Sequence, residues 1–370
     1  MAIDSRNTQC LTPEQGAQID NFWDSLQSSV TLIPPRLVSM GVVSFADETL
    51  LGLVVHHLAA DEVTGRLLAA NLEKLYLAQN SDESVRAIAE GLSYTNWSEK
   101  LSVLAKGGRF DCDTAFWTKE VDEAKTLPTT VACQNPKRVA LESQLDRTKS
   151  TKVLALASAK ARAKPLELLA SAFALAWRSV TEADRCLVSM ESHGREEIDT
   201  LRGQESTVGW FTAMYPLVLD ARGSSVEALL ANKDHVRALP NKGLSYGALR
   251  FLTTPEQETA LSVTPSLSFN FLGADTSDEE DSLFTVLPSS VGDNNPPTAP
   301  APFAIDALCS LRIDDSGGRS ISLHLQGWET FGYSAGIDEY SLEALMQAWE
   351  QSIDVLAQEL DAAPAQLSVS

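Results

Sequence analysis

The chain has 370 residues, of which 44% are hydrophobic and 21% charged, a composition typical of a soluble globular protein with two lobes or domains. Its 29 basic and 50 acidic side chains give a formal net charge of −21, which disfavours nucleic acid and anionic membrane surfaces as partners. The opening segment has no signal-peptide pattern and no apolar run is long enough to cross a bilayer, so we expect a cytoplasmic protein. The five cysteines are widely spaced and form no C-x-x-C pair, which argues against a disulfide framework and a thiolate zinc site.

The first clear structural pattern is a hairpin. Residues 37–45 and 50–57 are apolar runs on either side of a polar turn, and they predict two strands, the second buried on both faces. Asp61 stands where a helix N-cap belongs, and apolar residues then recur at helical spacing. His56 and His57 are therefore predicted at the end of a strand, just before a helix.

The rest of the chain alternates helical and extended patterns. Helices are predicted at 85–105, 113–123, 165–180, 225–238 and 342–360, and strands at 186–190, 213–220 and 266–272. We interpret 124–138 as an irregular crossover, 274–302 as a surface loop and 314–318 as a hairpin turn. This alternation predicts an α/β protein.

Ionisable side chains gather at two of the predicted strand ends. Three of the five histidines lie there, His56 and His57 after one strand and His193 just beyond Glu191 at the end of another. Adjacent strand residues point to opposite faces, so His56 and His57 cannot easily share a metal ion, and one of them should face a site. Taken alone, a paired histidine or a strand-end carboxylate is more often structural than catalytic.

Five segments, in order along the chain, resemble motifs of nonribosomal peptide synthetase condensation domains, and above all those of the epimerization branch. The segments, each with its family motif, are His56–Asp61 (HHxxxDG), Glu191–Glu196 (EGHGRE), Thr207–Pro216 (TVGWFTxxxP), Pro240–Gly247 (PxxGxxYG) and Phe269–Gly273 (FNYLG). The resemblance extends from about residue 12 to about residue 360, and a set of five ordered motifs is far more specific than HHxxxD alone.

The resemblance implies an α/β, chloramphenicol-acetyltransferase-like fold of two lobes in a V, with the active site in a tunnel between them. Residues 1–125 would form a shortened N-terminal lobe carrying HHxxxD, and residues 126–370 a C-terminal lobe carrying the other motifs. It also implies a carrier-protein partner, whose phosphopantetheine arm enters the tunnel as a substrate tether, or a small-molecule biosynthetic intermediate. No other cofactor and no metal are expected.

Epimerization domains invert the α-carbon of a carrier-bound aminoacyl or peptidyl thioester, and by resemblance His57 and Glu191 are the catalytic pair. Inversion requires a base that removes the α-proton, a group that returns a proton from the opposite face, and stabilisation of the enolate oxygen. We expect Asp61 to fix its loop by pairing with an arginine. Supporting roles are expected for His56, Asp61, Glu62, His193, Arg195, Tyr215 and Asn270.

The chain departs from the family pattern in several places. The N-terminal lobe lacks several elements and no adenylation or carrier segment accompanies it, so we expect a free-standing protein that acts in trans, and a homodimer that covers its exposed apolar surface. Glu62 replaces the motif glycine, either as a tolerated change at a helix start or as a residue that itself transfers protons. Ser192 replaces another glycine, and Phe271 replaces a tyrosine and removes its hydroxyl.

Other functions remain open. The same fold could serve a cyclase or isomerase, an amide- or ester-forming acyltransferase with His57 as general base, or a non-catalytic module that binds a carrier protein. The segment Gly243–Gly247 also fits the hydrolase pattern G-x-S-x-G around Ser245, but that motif requires a preceding strand and the residues 239–242 do not predict one.

Overall fold

The computed structural model describes residues 2–4, 13–45, 49–79, 91–133, 137–275, 285–286, 301–313, 318–333 and 339–364. Its strands are β1 (Ala2–Asp4), β2 (Val38–Ser44), β3 (Thr49–Val55), β4 (Thr130–Ala132), β5 (Arg138–Gln144), β6 (Arg185–Ser192), β7 (Ala213–Asp220), β8 (Leu267–Asp275), β9 (Thr285–Val286), β10 (Ile305–Ile313), β11 (Arg319–Trp328), β12 (Thr330–Tyr333) and β13 (Glu339–Ser341). Its helices are α1 (Pro13–Ser29), α2 (Glu62–Gln79), α3 (Tyr94–Lys106), α4 (Thr114–Ala124), α5 (Arg147–Ala161), α6 (Pro165–Thr181), α7 (Ser225–Arg237), α8 (Leu244–Leu252), α9 (Pro255–Ala260) and α10 (Leu342–Ala362). None of these helices is long and apolar enough to span a bilayer.

The chain divides into two compact units, each built from separate segments. The first comprises Met1–Leu101, Arg195–Thr212 and Ser277–Pro300, and the second comprises Ser102–Gly194, Ala213–Thr276 and Ala301–Ser370. This division differs from the predicted lobes 1–125 and 126–370. Residues 102–125 lie in the second unit because α4 packs against β7, and residues 195–212 lie in the first.

The first unit contains a sheet with strand order β2-β3-β1-β9. The predicted hairpin is confirmed, since β2 and β3 pair antiparallel from Val38 opposite Val55 to Ser44 opposite Thr49. The prediction that the second strand is buried on both faces was wrong. Helix α1 packs on the face of the hairpin that carries Gly52, whereas Leu51 and Leu53 on the other face of β3 are only partly buried.

Two glycines allow α1 to lie close to this hairpin. Gly41 and Gly52 are cross-strand partners. A Cβ at Gly41 would lie 2.9 Å from the Phe22 ring, and one at Gly52 would lie 2.6 Å from Leu26 Cδ1. The Phe22 ring therefore occupies space that a side chain larger than glycine at position 41 or 52 would fill. The ring packs beside the buried Trp23 and Leu26.

The second unit is organised around a six-stranded sheet with order β5-β11-β10-β8-β6-β7. Strand β8 runs parallel to both β10 and β6, and the other neighbours are antiparallel. Helix α6 packs on β6, β7 and β8 and is in turn covered by α7 and α10. Phe173 of α6 lies 5.7 Å from Phe269 and 5.3 Å from Trp349 between ring centroids, which places the core between helix and sheet.

Most predicted elements of the second unit are confirmed to within a few residues. They are α4, α6, α7, α10, β6, β7, β8 and the antiparallel pair β10 and β11. The segment 124–138 was wrongly predicted to be irregular throughout, because β4 forms within it and pairs with β12. The predicted loop 274–302 likewise contains the end of β8 and the short strand β9, and its other residues lie outside the described part, as do residues 314–317 of the predicted turn. In the first unit, the predicted helix 85–105 is found from Tyr94 onward, and residues 80–90 lie outside the described part.

Candidate functional site

The turn that carries the two histidines is held at both ends by backbone contacts. After β3 ends, the His56 N–H donates to Leu37 O at 2.8 Å, and the Leu58 N–H donates to His56 Nδ1 at 3.1 Å. Helix α2 then begins at Glu62, and the Thr64 N–H donates to Asp61 Oδ1 at 2.8 Å. The predicted N-cap is thus confirmed.

Asp61 also forms a buried ion pair with Arg195. The Arg195 Nη2 lies 2.9 Å from Asp61 Oδ1 and 3.1 Å from Oδ2, and the two side chains are only 4% and 2% exposed. The Phe211 N–H donates to Asp61 Oδ2 at 3.0 Å. Burial alone would raise the pKa of Asp61, but the hydrogen bonds from Thr64, Phe211 and Arg195 outweigh it, and the pKa lies below its usual value. Asp61 is therefore an ionised anchor and not a proton donor.

The guanidinium of Arg195 organises the loop that follows it. Its Nη1 donates to Gln204 O at 2.7 Å and to Thr207 O at 2.6 Å. The group also lies over the Phe211 ring, with Cζ 4.1 Å from the ring centroid. These contacts join the end of the Glu191–Glu196 motif to the Thr207–Pro216 motif.

Thr64 and Gly209 complete the link between this loop and α2. The Thr64 hydroxyl donates to Gly209 O at 2.8 Å, and the Gly209 N–H donates to Thr64 Oγ1 at 3.1 Å. A Cβ at Gly209 would lie 2.5 Å from Tyr94 Cδ2, so the glycine is required for close packing. Tyr94 and Trp97 both pack against Phe211 and fix the loop from the side of α3.

His57 is exposed at the surface of this buried cluster. Its imidazole lies 5.0 Å from the Trp210 ring between centroids, with the planes inclined by 45°. His56 is half-buried and accepts a backbone hydrogen bond. Of the two histidines, His57 is the one accessible to a substrate.

Glu191 and Asn270 lie on neighbouring strands of the six-stranded sheet. In the parallel pair β6 and β8, Met190 is opposite Phe269, so Glu191 and Asn270 each come one residue later on their strands. Met190 and Phe269 are buried toward the helices, and alternation directs Glu191 and Asn270 to the other face. Glu191 is exposed, and the Oδ1 of the half-buried Asn270 is buried and has no hydrogen-bond partner among the described residues.

The Tyr215 side chain lies on the opposite face of the sheet from Glu191 and Asn270. It is opposite Met190 in β7 and is 4% exposed, packed against Gly243, where a Cβ would meet its ring at 2.1 Å. Burial raises the pKa of Tyr215, and the negative charge of Glu191 raises it further. The phenol is therefore neutral and buried, which suits packing support for β6.

The other predicted supporting residues have surface positions. Glu62 is the first residue of α2 and pairs with Arg66 at 3.3 Å, with about half of each side chain exposed. His193 is exposed just after β6. His57, Asp61, Glu62 and Arg195 belong to the first unit, whereas Glu191, His193, Tyr215 and Asn270 belong to the second. The predicted catalytic pair thus draws one residue from each unit.

The sequence interpretation did not identify Thr64, Gln204 or Trp210 as parts of the cluster. Thr64 had a recognisable signal, because it occupies the third helical position after the Asp61 cap. Trp210 lies inside the TVGWFT segment. Gln204 carried no local signal, and only the structure shows its Nε2 donating to Glu196 O at 2.7 Å.

Ser245 is not placed as a nucleophile. It lies in the first turn of α8, is fully buried, and its hydroxyl oxygen accepts a hydrogen bond from Trp117 Nε1 at 2.9 Å. A short 3₁₀ turn, Pro240–Gly243, precedes it in place of a strand. Both observations contradict the hydrolase interpretation. Within the described residues no three His, Cys, Asp or Glu side chains form a group suited to a metal ion.

Residues 3–316 match the family model described as Condensation domain, and the chain belongs to that family. Surfactin synthase subunit 1 of Bacillus subtilis (strain 168) is 31% identical over 308 residues, which cover 79% of this chain and 8% of that protein. The chain thus corresponds to a small part of this much longer relative.

Two solved structures show the same fold. The epimerization domain from the third module of tyrocidine synthetase B has a TM-score of 0.80 and 22% identity, covering 96% of this chain and 79% of that one. The structure of the complex of the X-domain and OxyB from teicoplanin biosynthesis matches with a TM-score of 0.63 and 15% identity, covering 92% and 75%. The predicted family and the mixed α/β condensation and epimerization fold are confirmed.

Proposed function

We propose that this chain catalyses proton transfer at a carbon next to a carbonyl or thioester, with epimerization as the reaction and His57 and Glu191 as the proton-transferring groups. The observation that carries the proposal is that both side chains are exposed and that each belongs to a fixed element. His57 contacts Trp210 beside the buried Asp61–Arg195 pair, and Glu191 is the last residue but one of β6 in the six-stranded sheet.

The division of roles follows from what inversion requires. One group removes the α-proton and the other delivers a proton to the opposite face, so an imidazole and a carboxylate on separate elements suit the task. Asn270 is a natural third participant, because its amide NH₂ can donate to an enolate oxygen. A substrate tethered by the phosphopantetheine arm of a carrier protein would present its α-carbon to these groups.

The test is the fate of the α-proton. The protein is incubated in D₂O with an aminoacyl carrier, and deuterium at the α-carbon and the configuration of the released amino acid are measured by mass spectrometry and chiral chromatography. We expect His57→Ala and Glu191→Gln each to reduce labelling by about 10²–10⁴-fold.

A matched histidine and glutamate for control substitutions lie on two other strands of the six-stranded sheet that carries Glu191. His324 and Glu142 form an exposed pair across β11 and β5, with Nδ1 and Oε1 3.4 Å apart. His324→Ala and Glu142→Gln should label like the wild type. Labelling that is independent of both His57 and Glu191 would refute the proposal.

Acyl transfer is the second candidate, favoured by the match to the Condensation family model. In that reaction His57 would act as general base for an amine or alcohol nucleophile, and the product would be an amide or ester. A product heavier than the loaded substrate, formed without α-deuterium and insensitive to Glu191→Gln, would select this function. The same measurements would detect a cyclase or isomerase, whose product keeps the substrate mass but differs in structure.

A non-catalytic binding role is the third candidate, favoured by the structural likeness to an X-domain solved in complex with another protein. Under this hypothesis a carrier protein still binds when both His57 and Glu191 are replaced by alanine. Isothermal titration with a loaded carrier, run beside the labelling assay, separates binding from catalysis. Sedimentation velocity tests the homodimer, which remains a prediction.

A further inference from the structure

The second unit contains a cavity of about 220 Å³ at the N-terminal ends of β6 and β8. Its wall includes Lys125, Thr130, Leu187, Ser266, Leu267 and Tyr333. The volume corresponds to roughly seven water molecules and is smaller than the ~300–1,000 Å³ pockets that hold drug-sized ligands. A metabolite of a few carbon atoms is the size that fits.

Two buried hydroxyl groups on one wall find no acceptor for their protons among the described residues. Thr130 of β4 and Tyr333 of β12 are directly opposite in an antiparallel pair, so their side chains project from the same face. The residues are 4% and 7% exposed; among the described residues the Thr130 hydroxyl has no hydrogen-bond partner, and the Tyr333 hydroxyl has the Trp177 indole, a donor, beside it. Buried polar groups are rarely left unpaired, so this wall presents two O–H donors to acceptor atoms that no described residue supplies.

These hydroxyls are available as donors. Burial raises the pKa of Tyr333 to about 12, so its phenol keeps its proton. The Ser266 hydroxyl oxygen accepts from the Thr130 N–H at 3.1 Å, which leaves its own proton free to donate. All three hydroxyls can therefore donate to a ligand that carries acceptor atoms.

The charge around the cavity favours an anion. None of the described residues that line it is acidic, although the chain has 50 acidic side chains. The Asp184 carboxylate acts on Tyr333 from outside the lining, and Arg185, which pairs with it at 3.7 Å, opposes its effect. Lys125 stands at the exposed rim, where its Nζ donates to Ala260 O at 3.2 Å. The remaining wall includes the apolar residues Leu127, Pro128, Leu187 and Val263.

We propose that this cavity binds a small aliphatic monocarboxylate. The carboxylate accepts hydrogen bonds from Thr130 and Tyr333 near the Lys125 ammonium, and the alkyl chain packs on Leu127, Leu187 and Val263. The cavity is separate from the candidate catalytic face, because Leu187 and Leu267 begin the strands whose later residues are Glu191 and Asn270. The proposal does not depend on the proposed reaction.

The test is isothermal titration of the whole chain with sodium pentanoate, with pentanamide as the uncharged comparison. We expect pentanoate to bind about tenfold more tightly than pentanamide, and Lys125→Met to remove that preference. Tyr333→Phe and Thr130→Val should each weaken pentanoate binding by about tenfold, the effect of losing a hydrogen bond to a charged group. Thr151→Val, on the exposed face of α5, is the control and should bind like the wild type.

Two results of the titration would contradict the proposed carboxylate site. If pentanoate gives no heat at millimolar concentration, or if the Thr130 and Tyr333 variants bind it unchanged, the cavity holds only water and the proposal is wrong. Thermal unfolding of each variant shows whether it is folded. Should Tyr333→Phe unfold, Thr130→Val and Lys125→Met carry the test.

Discussion

Asp61 holds together the residues around His57 through contacts with the adjoining start of α2 and with two distant parts of the chain. Its carboxylate receives hydrogen bonds from the start of α2, from Arg195 and from the backbone of Phe211. The arginine is itself bound to carbonyl oxygens of the following loop. His57 contributes little to this packing and is exposed, which is a suitable arrangement for a side chain that must meet a substrate.

Asp61→Asn should destabilise the protein by about 3–5 kcal/mol at pH 7, because it leaves the Arg195 charge buried without its partner. The pKa of Asp61 is depressed in the folded state, so its stabilising effect is present above the unfolded pKa of ~3.9 and is lost as pH falls through the lower folded pKa. Urea unfolding of wild type and variant at pH 7 and at acid pH measures this difference.

The surface pair Lys152–Asp361 provides the comparison, since both side chains are more than half exposed. Asp361→Asn should change the free energy of unfolding far less than Asp61→Asn does. Equal effects of the two substitutions would show that the buried pair is not the anchor described here.

The sequence predicted part of this cluster and missed the rest for a physical reason. The Asp61 cap follows from the local pattern, the pairing with an arginine was expected without its partner being known, and the resemblance supplied Glu191. The contact between Thr64 and Gly209 joins residues 145 positions apart, and nothing local to either residue specifies it. The burial of the Tyr215 ring likewise depends on its contact with Gly243, and only the fold brings these two residues together.

Helix α1 and the hairpin of β2 and β3 give a test of packing at the scale of elements. Gly52→Ala should destabilise by about 1–3 kcal/mol, because its Cβ would meet Leu26 and Phe22 at 2.6 Å. Gly16→Ala, in α1 itself, has nothing within 4 Å and should stabilise by about 0.5–1 kcal/mol through helix propensity. Denaturant unfolding of both variants measures these effects. We expect the two changes in the free energy of unfolding to have opposite signs.

Helix α7 is joined to α4 and β7 through one buried carboxylate. His235 Nε2 lies 2.9 Å from Glu120 Oε2, and Glu120 Oε1 accepts from the Val218 N–H at 2.6 Å. Burial lowers the pKa of His235, but the hydrogen bond and charge of Glu120, with a further contribution from Glu123, outweigh it and the pKa is raised.

A raised folded pKa makes the stabilisation by His235 complete below the unfolded pKa of ~6.5, and it is lost as pH rises through the folded value. The difference in unfolding free energy between wild type and His235→Gln should therefore shrink between about pH 6 and pH 9. Thermal or urea unfolding across that range measures it. A difference that stays constant with pH would mean that the pair does not titrate as described.

Elements with strong apolar patterns were predicted correctly, and short elements were not. Helix α6 is buried on nearly all of its faces, and its continuous apolar sequence indicated this. Strand β4 has three residues and exists because it pairs with β12, some 200 positions later, which no local window reveals. Strand β3 is half-buried because a helix covers only one face of the hairpin. Which elements cover the hairpin depends on residues far from it in the sequence.

At the scale of the whole molecule, the net charge of −21 should make stability depend on salt. Repulsion among the excess acidic groups opposes the compact state, and raising ionic strength from about 0.01 M to 0.15 M shortens the Debye length from ~30 Å to ~8 Å. The Tm should rise over this range of NaCl, as measured by differential scanning calorimetry. A Tm that falls or stays constant would show that local ion pairs offset the repulsion.

The interleaving of the two units bears on how the protein is made. Leu101 leaves the ribosome long before Arg195 and Phe211, so for roughly 5–20 s of translation the nascent first unit lacks the groups that neutralise and enclose Asp61. The second unit also begins before the first is finished. The first unit cannot mature in order of synthesis, and cutting the gene near residue 101 would yield an N-terminal polypeptide that lacks part of its own interior.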